Sequence, residues 1–437
     1  MCMDFTRWHY FACQAAVATI VFLSLVPGPL GAENWNAWRG PRGDGISMET
    51  GLPQRWSDQE NVAWKISVPG TGHASPIAWD DRIFLVTCNE QQQERILLCL
   101  DRHSGKTNWQ QVVLRATLET KHPLNSYASS TPATDGKFVY VSFLEPDGDL
   151  VPALNVGTER MVSSGNMVVA AYDLDGRQQW LVRPGNFASV HGFCSCPVIY
   201  KNLLIVNGDH DGDSYIVALE RSTGRTIWKI PREHKTRSFV TPIIREVNGR
   251  TQMMMSGSLS VTSYDPDTGK LFWFIDGPTE QFVASPVYAG ELLFLTAGFP
   301  EHHILAIDPT GSGDVTDSRI VWRTTKGAGY VPSPIAVDKF LLVATDEGVI
   351  SCFVAATGQR LWRKRIGEHY STSAVSAGGL AYFLADDGVT TVIKPDHELE
   401  IVARNALNER CYSSPAISHG QFLIRSEKHL YCIGKEA

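Results

Sequence analysis

Little in this chain suggests a nucleic-acid partner: Lys and Arg total 39 against 46 Asp and Glu, giving a formal net charge of −7, and no long basic run interrupts the sequence. Proteins that hold nucleic acid do so by neutralising phosphates, so that class is excluded. Cysteine is also sparse. The 9 residues fall to seven once the first segment is set aside (Cys88, Cys99, Cys194, Cys196, Cys352, Cys411 and Cys432), an odd number and too few to staple a chain of 437 residues. Cys88 and Cys99 flank an expected hairpin and could pair across it, although small buried hydrophobes on strands are the simpler reading. Apart from one run near the start, no stretch is apolar for long enough to span a membrane.

That run, Phe11 to Val26, follows Arg7 and ends in Pro27-Gly28-Pro29 before Leu30-Gly31-Ala32. It reads as an export signal covering residues 1–32 with cleavage after Ala32, and no cysteine stands behind it to take a lipid anchor. With charged residues at 19% and hydrophobic residues at 43%, the remainder can bury a large core.

What the chain does have is tryptophan, 12 in all, and most of them recur in register. SGKTNW ending at Trp109, DGRQQW at Trp180, TGRTIW at Trp228, TGKLFW at Trp273 and TGQRLW at Trp362 are one motif, and Trp322 ends a longer version. An alternating apolar strand precedes each, so the glycine falls where a tight hairpin needs positive φ. A second marker leads each unit: Ser75-Pro76, Thr131-Pro132, Cys196-Pro197, Thr241-Pro242, Ser285-Pro286, Ser333-Pro334 and Ser414-Pro415, with Ser373-Ala374 as the departure. Between the markers lie short strands separated by polar turns, four per unit.

The marker positions stand 40 to 65 residues apart, and the last unit runs out of chain after three strands. The missing strand is at the other end, in NVAWKISV from Asn61 to Val68. Seven complete units and one split unit predict an all-β fold: an eight-bladed β-propeller of four-stranded antiparallel blades, closed by pairing the N-terminal strand with the C-terminal blade. Each repeat tryptophan should fill the wedge between neighbouring blades, with Val402 in that place in the seventh. The propeller would occupy residues 61–437, preceded by an arm at 33–60 containing the turn-forming WRGPRGDG.

The marker starts and the TGxxxW ends make the chain resemble the pyrroloquinoline-quinone (PQQ) repeat superfamily of β-propellers, over essentially all of residues 61–434. WRGPRGDG followed by NVAWK resembles exported, planctomycete-type PQQ-like propellers within it. The resemblance implies a BamB-like scaffold without cofactor or, as the alternative, a quinoprotein dehydrogenase of the periplasm acting on an alcohol or sugar with PQQ over calcium. Those enzymes cap the quinone with two adjacent cysteines. Here the nearest feature is Cys194-Ser195-Cys196, which is not vicinal, and Trp79, the one core tryptophan outside the repeat, falls in a short turn.

Strand parity sorts the loops. The connections into strand one and between strands two and three share a face, and that face takes the long ones: 110–130, 144–166, 181–194, 229–239 and the segment ending at His303. Loop length on a rigid scaffold marks a functional face. Histidines gather there, and with preceding aromatics they should ring the channel mouth. The candidate ligand-binding residues are His73, Tyr127, His191, Arg237, Gln281, Lys326, Tyr330, His369 and Arg410, for a protein, peptide or envelope polymer. The same aromatics (Tyr127, Phe193, Phe239, Phe282, Tyr330, Tyr370, Tyr412) could instead pack between blades. The histidines lack the spacing that fixes two metal ligands at once, and Asp209, Asp211 and Asp213 read as a solvated turn rather than a calcium loop. No motif places a nucleophile beside its base.

Overall fold

The structure, a computed structural model, describes residues 32–155, 158–257 and 259–435. The export-signal segment, apart from Ala32, lies outside the described residues. Eight sheets follow one another around the ring, each built on four antiparallel strands that in all but the last come in chain order. They are blades 1 to 7 at residues 77–115, 133–188, 198–231, 243–276, 287–324, 335–365 and 375–406. Blade 8 combines residues 416–433 with the N-terminal strand Val62–Ser67, which pairs antiparallel with His429–Ile433, Val62 opposite Ile433 and Ser67 opposite His429. The propeller closes as the repeat implied.

Apolar side chains do not converge on a central core. They form clusters between neighbouring blades, for example blade 1 against 2 around Phe84 and Val141, blade 2 against 3 around Tyr140 and Val217, and blade 5 against 6 around Phe294 and Leu341. Inner strands read as continuous buried runs such as FLLVA and LAYFL because both faces meet another blade.

The repeat tryptophans join the blades in one way. Each indole Nε1 donates to a main-chain carbonyl in the next blade: Trp64 to Arg102, Trp109 to Leu174, Trp180 to Arg221, Trp228 to Pro266, Trp273 to Pro309, Trp322 to Ala355 and Trp362 to Asp396, at 2.8–3.2 Å. The motif glycine therefore has two duties. Gly176 and Gly224 take φ of +83° and +74°, and a Cβ on either would stand 2.7 Å from the indole of the preceding blade. A side chain there would both strain the turn and evict the ring.

Several expectations need correcting. Residues 144–155 and 158–166 do not form a loop but belong to the far half of a long hairpin, Phe138–Asn155 against Thr158–Asp173, with a bulge between Pro146 and Leu150. The long connection 309–318 is also partly strand: Gly313–Asp314 adds a parallel edge to blade 4, and this cover leaves Trp273 fully buried. Trp79 ends the strand Ile77–Trp79, its ring lying against Gly136 of the next blade. For Cys88 and Cys99 the simpler reading holds: both are free and buried, and Cys88 stands opposite Arg95 while Cys99 stands opposite Phe84, so no bond spans them.

The arm ahead of Val62 is built into the fold. Trp35 bridges Ala78 of blade 1, Asn36 pairs with Thr134 of blade 2, and Ile46 bridges Ser376 of blade 7. Arg245 of blade 4 donates to Asp44 (3.2 Å), buried Arg39 donates to the Pro334 carbonyl of blade 6 (2.8 Å), and Glu49 accepts from the His419 and Gly420 amides of blade 8. Trp56 stacks 6.3 Å from Tyr382 and lies 5.3 Å from Phe422, between blades 7 and 8 where the repeat has Val402. The arm thus returns a tryptophan to the interface that lacks one.

Candidate functional site

First strands face the propeller axis, so the marker residues that open them meet around it. The main-chain amide of Ser75 donates to Thr131 Oγ1 (3.0 Å), Thr131 to Cys196 Sγ (3.2 Å), Thr241 to Ser285 Oγ (3.2 Å), Ser285 to Ser333 Oγ (3.0 Å), Ser333 to Ser373 Oγ (3.0 Å) and Ser373 to Ser414 Oγ (2.8 Å). Every bond crosses to the next blade. This belt is why the marker is always Ser, Thr or Cys and why Ser373 tolerates Ala374 after it: the side-chain acceptor carries the function of the position, and proline only straightens the strand entry.

Inside the belt lies a cavity of about 480 Å³ that opens toward the long-loop face. Trp38 of the arm lines its far end and donates Nε1 to Ser285 Oγ at 3.3 Å, as the arm crosses that end of the channel. Aromatic rings (Phe239, Tyr330, Tyr412), hydroxyls (Ser129, Thr241, Ser285, Ser333, Ser371, Ser373, Ser414), imidazoles (His73, His122, His191, His369), Asn125, Cys194 and Cys196 form most of the wall. No lysine or arginine is among the described residues that line it. Its one carboxylate, Asp346, accepts the amides of Tyr330 (2.9 Å) and Val331 (3.0 Å).

Two of the imidazoles, His73 and His191, are held neutral. Burial pushes His73 down to about 4, helped by the Arg425 guanidinium, and burial pushes His191 down to about 4 beside Arg237 and His122. The His73 ring lies 4.8 Å from Tyr412, and His122 meets His191 edge-on at 5.5 Å. His369 Nδ1 is 2.7 Å from Asp386, whose carboxylate also accepts the Ser371 hydroxyl. That serine bonds the acid and not the imidazole, so no nucleophile-base pair arises. Among the described residues no group of three or more His, Cys, Asp or Glu is arranged to hold a metal ion.

Of the residues expected at the mouth, His73, His191, Tyr330 and His369 do line the cavity, and Gln281 accepts the Tyr330 hydroxyl at 3.0 Å from an adjoining cleft. Arg410 stands exposed at the rim and donates to the Tyr412 hydroxyl (3.1 Å). The others are placed elsewhere. Tyr127 packs against the Arg95 and Lys121 side chains outside the cavity. Arg237 is buried in an ion pair with Asp211 (2.6 Å), and Lys326 projects into solvent. The aromatic set divides: Phe193, Phe282 and Tyr370 are buried in interblade clusters.

The DHDGD segment corrects an expectation for the same reason. Asp209 pairs with Arg232 (3.0 Å) and Asp211 with Arg237, all four side chains at most 4% exposed; Asp213 alone is solvated, beside Lys235. Sequence reading missed the belt hydroxyls as lining, together with Trp38, Asn125 and Asp346. The marker itself was the available signal for the belt.

PQQ is a tricarboxylate, and a cavity with no lysine or arginine among its described lining residues, with His73 and His191 neutral and its one acid already engaged by two amides, does not fit that anion over a calcium ion. Cys196 sits in the belt and Cys194 on the wall, both as free thiols that burial pushes well above the usual range.

A family model described as outer membrane protein assembly factor BamB matches residues 145–308 and 301–402. The BamB protein of Burkholderia pseudomallei (strain K96243) is 31% identical over 114 residues, which is 26% of this chain and 29% of that relative, so the match spans under a third of the relative's length. Among solved structures, BamB from Moraxella catarrhalis superposes with a TM-score of 0.59 at 14% identity, over 86% of this chain and 99% of that one. A europium-containing methanol dehydrogenase gives 0.58 at 12% identity, over 92% and 89%. At such identities the structural likeness speaks to fold alone and does not separate a scaffold from a dehydrogenase. Since the family model covers more than half of the sequence, the chain belongs to the PQQ-like β-propeller family described as outer membrane protein assembly factor BamB.

Proposed function

We propose that this protein is a non-catalytic, exported β-propeller scaffold, periplasmic or secreted and monomeric, that binds a protein, peptide or envelope polymer through its long-loop face. The observation that carries the reading is the cavity wall: hydroxyls, imidazoles and aromatic rings, with no lysine or arginine for a quinone and no base bonded to a nucleophile among the described lining residues. The family match supports a partner-binding role, and among the described residues no helix is long and apolar enough to cross a membrane. His73, His191, Tyr330, His369 and Arg410 are the ligand contacts proposed from the original set, with Gln281 acting through Tyr330.

The alternative is a PQQ-dependent dehydrogenase, which the methanol dehydrogenase likeness keeps in view. Mixing purified protein with PQQ and calcium, followed by desalting, separates the two. The scaffold reading expects the quinone absorbance to wash away and no dye-linked alcohol oxidation; retained quinone with turnover would sink it.

A further inference from the structure

The belt has unspent hydrogen-bonding capacity. Ser333, Ser373 and Ser414 each accept a main-chain amide through Oγ, yet none has an acceptor for its own hydroxyl hydrogen, and all three line the cavity side by side on blades 6, 7 and 8. Ser75, next around the ring on blade 1, is 2% exposed and its Oγ has no hydrogen-bond partner among the described residues, but it stands behind the cavity wall rather than on it. An oxygen of a ligand in the cavity can accept from the Ser333, Ser373 and Ser414 hydroxyls while each still accepts its main-chain amide. Aromatic faces stand over the same space: Tyr412, Tyr330 and Phe239 on the wall and Trp38 at the far end.

Outside the cavity the chemistry changes. A cleft of about 350 Å³ shares His122, His191 and Tyr330 with it and runs under the far half of the blade 2 hairpin. Lys121 and Arg160 line this cleft, with no carboxylate among its described lining residues, and Lys121 Nζ lies 5.1 Å from the centroid of the Tyr127 ring. The inner space therefore presents hydroxyl donors and aromatic rings, and the outer one presents positive charge with no carboxylate in its described lining.

We propose that the channel takes the end of an anionic oligosaccharide, its inner sugar ring stacked on the aromatic wall and its oxygens accepting from the belt hydroxyls, while a carboxylate on the next sugar meets Lys121 and Arg160. The inference rests on the long-loop face being the binding face. A saccharide fits better than a peptide because the wall offers hydroxyl donors in an arc and flat aromatic faces, rather than a closed apolar pocket for a side chain. The charge on the cleft selects the acidic form, since a charge-assisted hydrogen bond is roughly twice as strong as a neutral one.

Calorimetric titration of the full chain with trigalacturonate, its methyl ester and triglutamate tests this. Trigalacturonate should bind, and the ester about tenfold more weakly. In Lys121→Ala/Arg160→Ala, a surface variant, the acid should fall to the level of the ester. Equal binding of acid and ester, binding of neither saccharide, or triglutamate matching trigalacturonate would each overturn the proposal. Triglutamate binding alone would leave the long-loop face standing as a binding face with a different ligand, so the two readings fail separately.

Discussion

Removing residues 61–68 should make the protein aggregate. Val62–Ser67 is the outer strand of blade 8, its alternate residues Val62, Trp64 and Ile66 packing on the buried His429–Ile433 strand and on Leu430 and Tyr431 within it. Without it, that inner strand shows a bare hydrogen-bonding edge. The loss also takes Trp64 from the turn of blade 1, where its indole bonds the Arg102 carbonyl (2.8 Å) and lies against Gly105, so the ring opens between blades 8 and 1. The partner registers make a rescue possible. Val62 stands opposite Ile433 and the Gly434 amide donates to the Asn61 carbonyl at 2.7 Å, so the same eight residues joined to Gly434 through a short Gly-containing turn would enter the sheet as an ordinary fourth strand. Gel filtration should show aggregate for the deletion and monomer for the version with the segment moved. A soluble, cooperatively folding deletion would show that the split blade does not close the propeller.

The second large effect is loss of stability in mild acid. His73, His191 and His210 are each pushed down to about 4 primarily by burial, with Arg425 and Arg237 adding to the first two. Unfolded, they would take up protons near 6.5. Between those values the unfolded chain binds more protons than the folded one, so stability falls as pH drops from about 6.5 to about 4 and is fully present above that window. For His210, which is 4% exposed, the effect is about 3 kcal/mol over the interval. Asp209 and Asp211 act in the opposite sense, because burial raises both carboxyls and their protonation on acidification recovers some stability. Urea denaturation midpoints measured from pH 7.5 to 4.5 should decline steeply, and His210→Gln should decline less. A flat profile would mean that these imidazoles are not buried as described.

The blades were legible because a repeat writes the same physical demand many times. TG before Trp is a positive-φ turn that also makes room for the neighbouring indole, and Ser/Thr/Cys before Pro is a belt acceptor. The arm had no such copy to be compared with. Trp35, Trp38 and Trp56 make sense only against Ala78, Ser285 and Tyr382, each far away in sequence. Residues 144–166 were mistaken for a loop because Pro146, Asp147 and Gly148 are turn formers, and in the chain they serve as a bulge within a hairpin. Burial of Asp209 and Asp211 was hidden for a similar reason. Their partners Arg232 and Arg237 lie more than twenty residues on, on the far side of a strand pair, and an alternating acidic segment looks solvated until those partners are placed. Arg237 was assigned to the mouth for its charge, and the same ion pair removes it from there.

The account's central claim, that the long-loop face is where the protein meets its ligand, is tested most directly by photocrosslinking in native envelope with benzoylphenylalanine at Leu124 or at Met48. These sites are equally accessible, at 49% and 51%, but Leu124 lines the cavity while Met48 belongs to the arm across the channel's other end. The account expects a discrete crosslinked species from Leu124 and none from Met48. Crosslinks from Met48 alone, or equally from both, would contradict it.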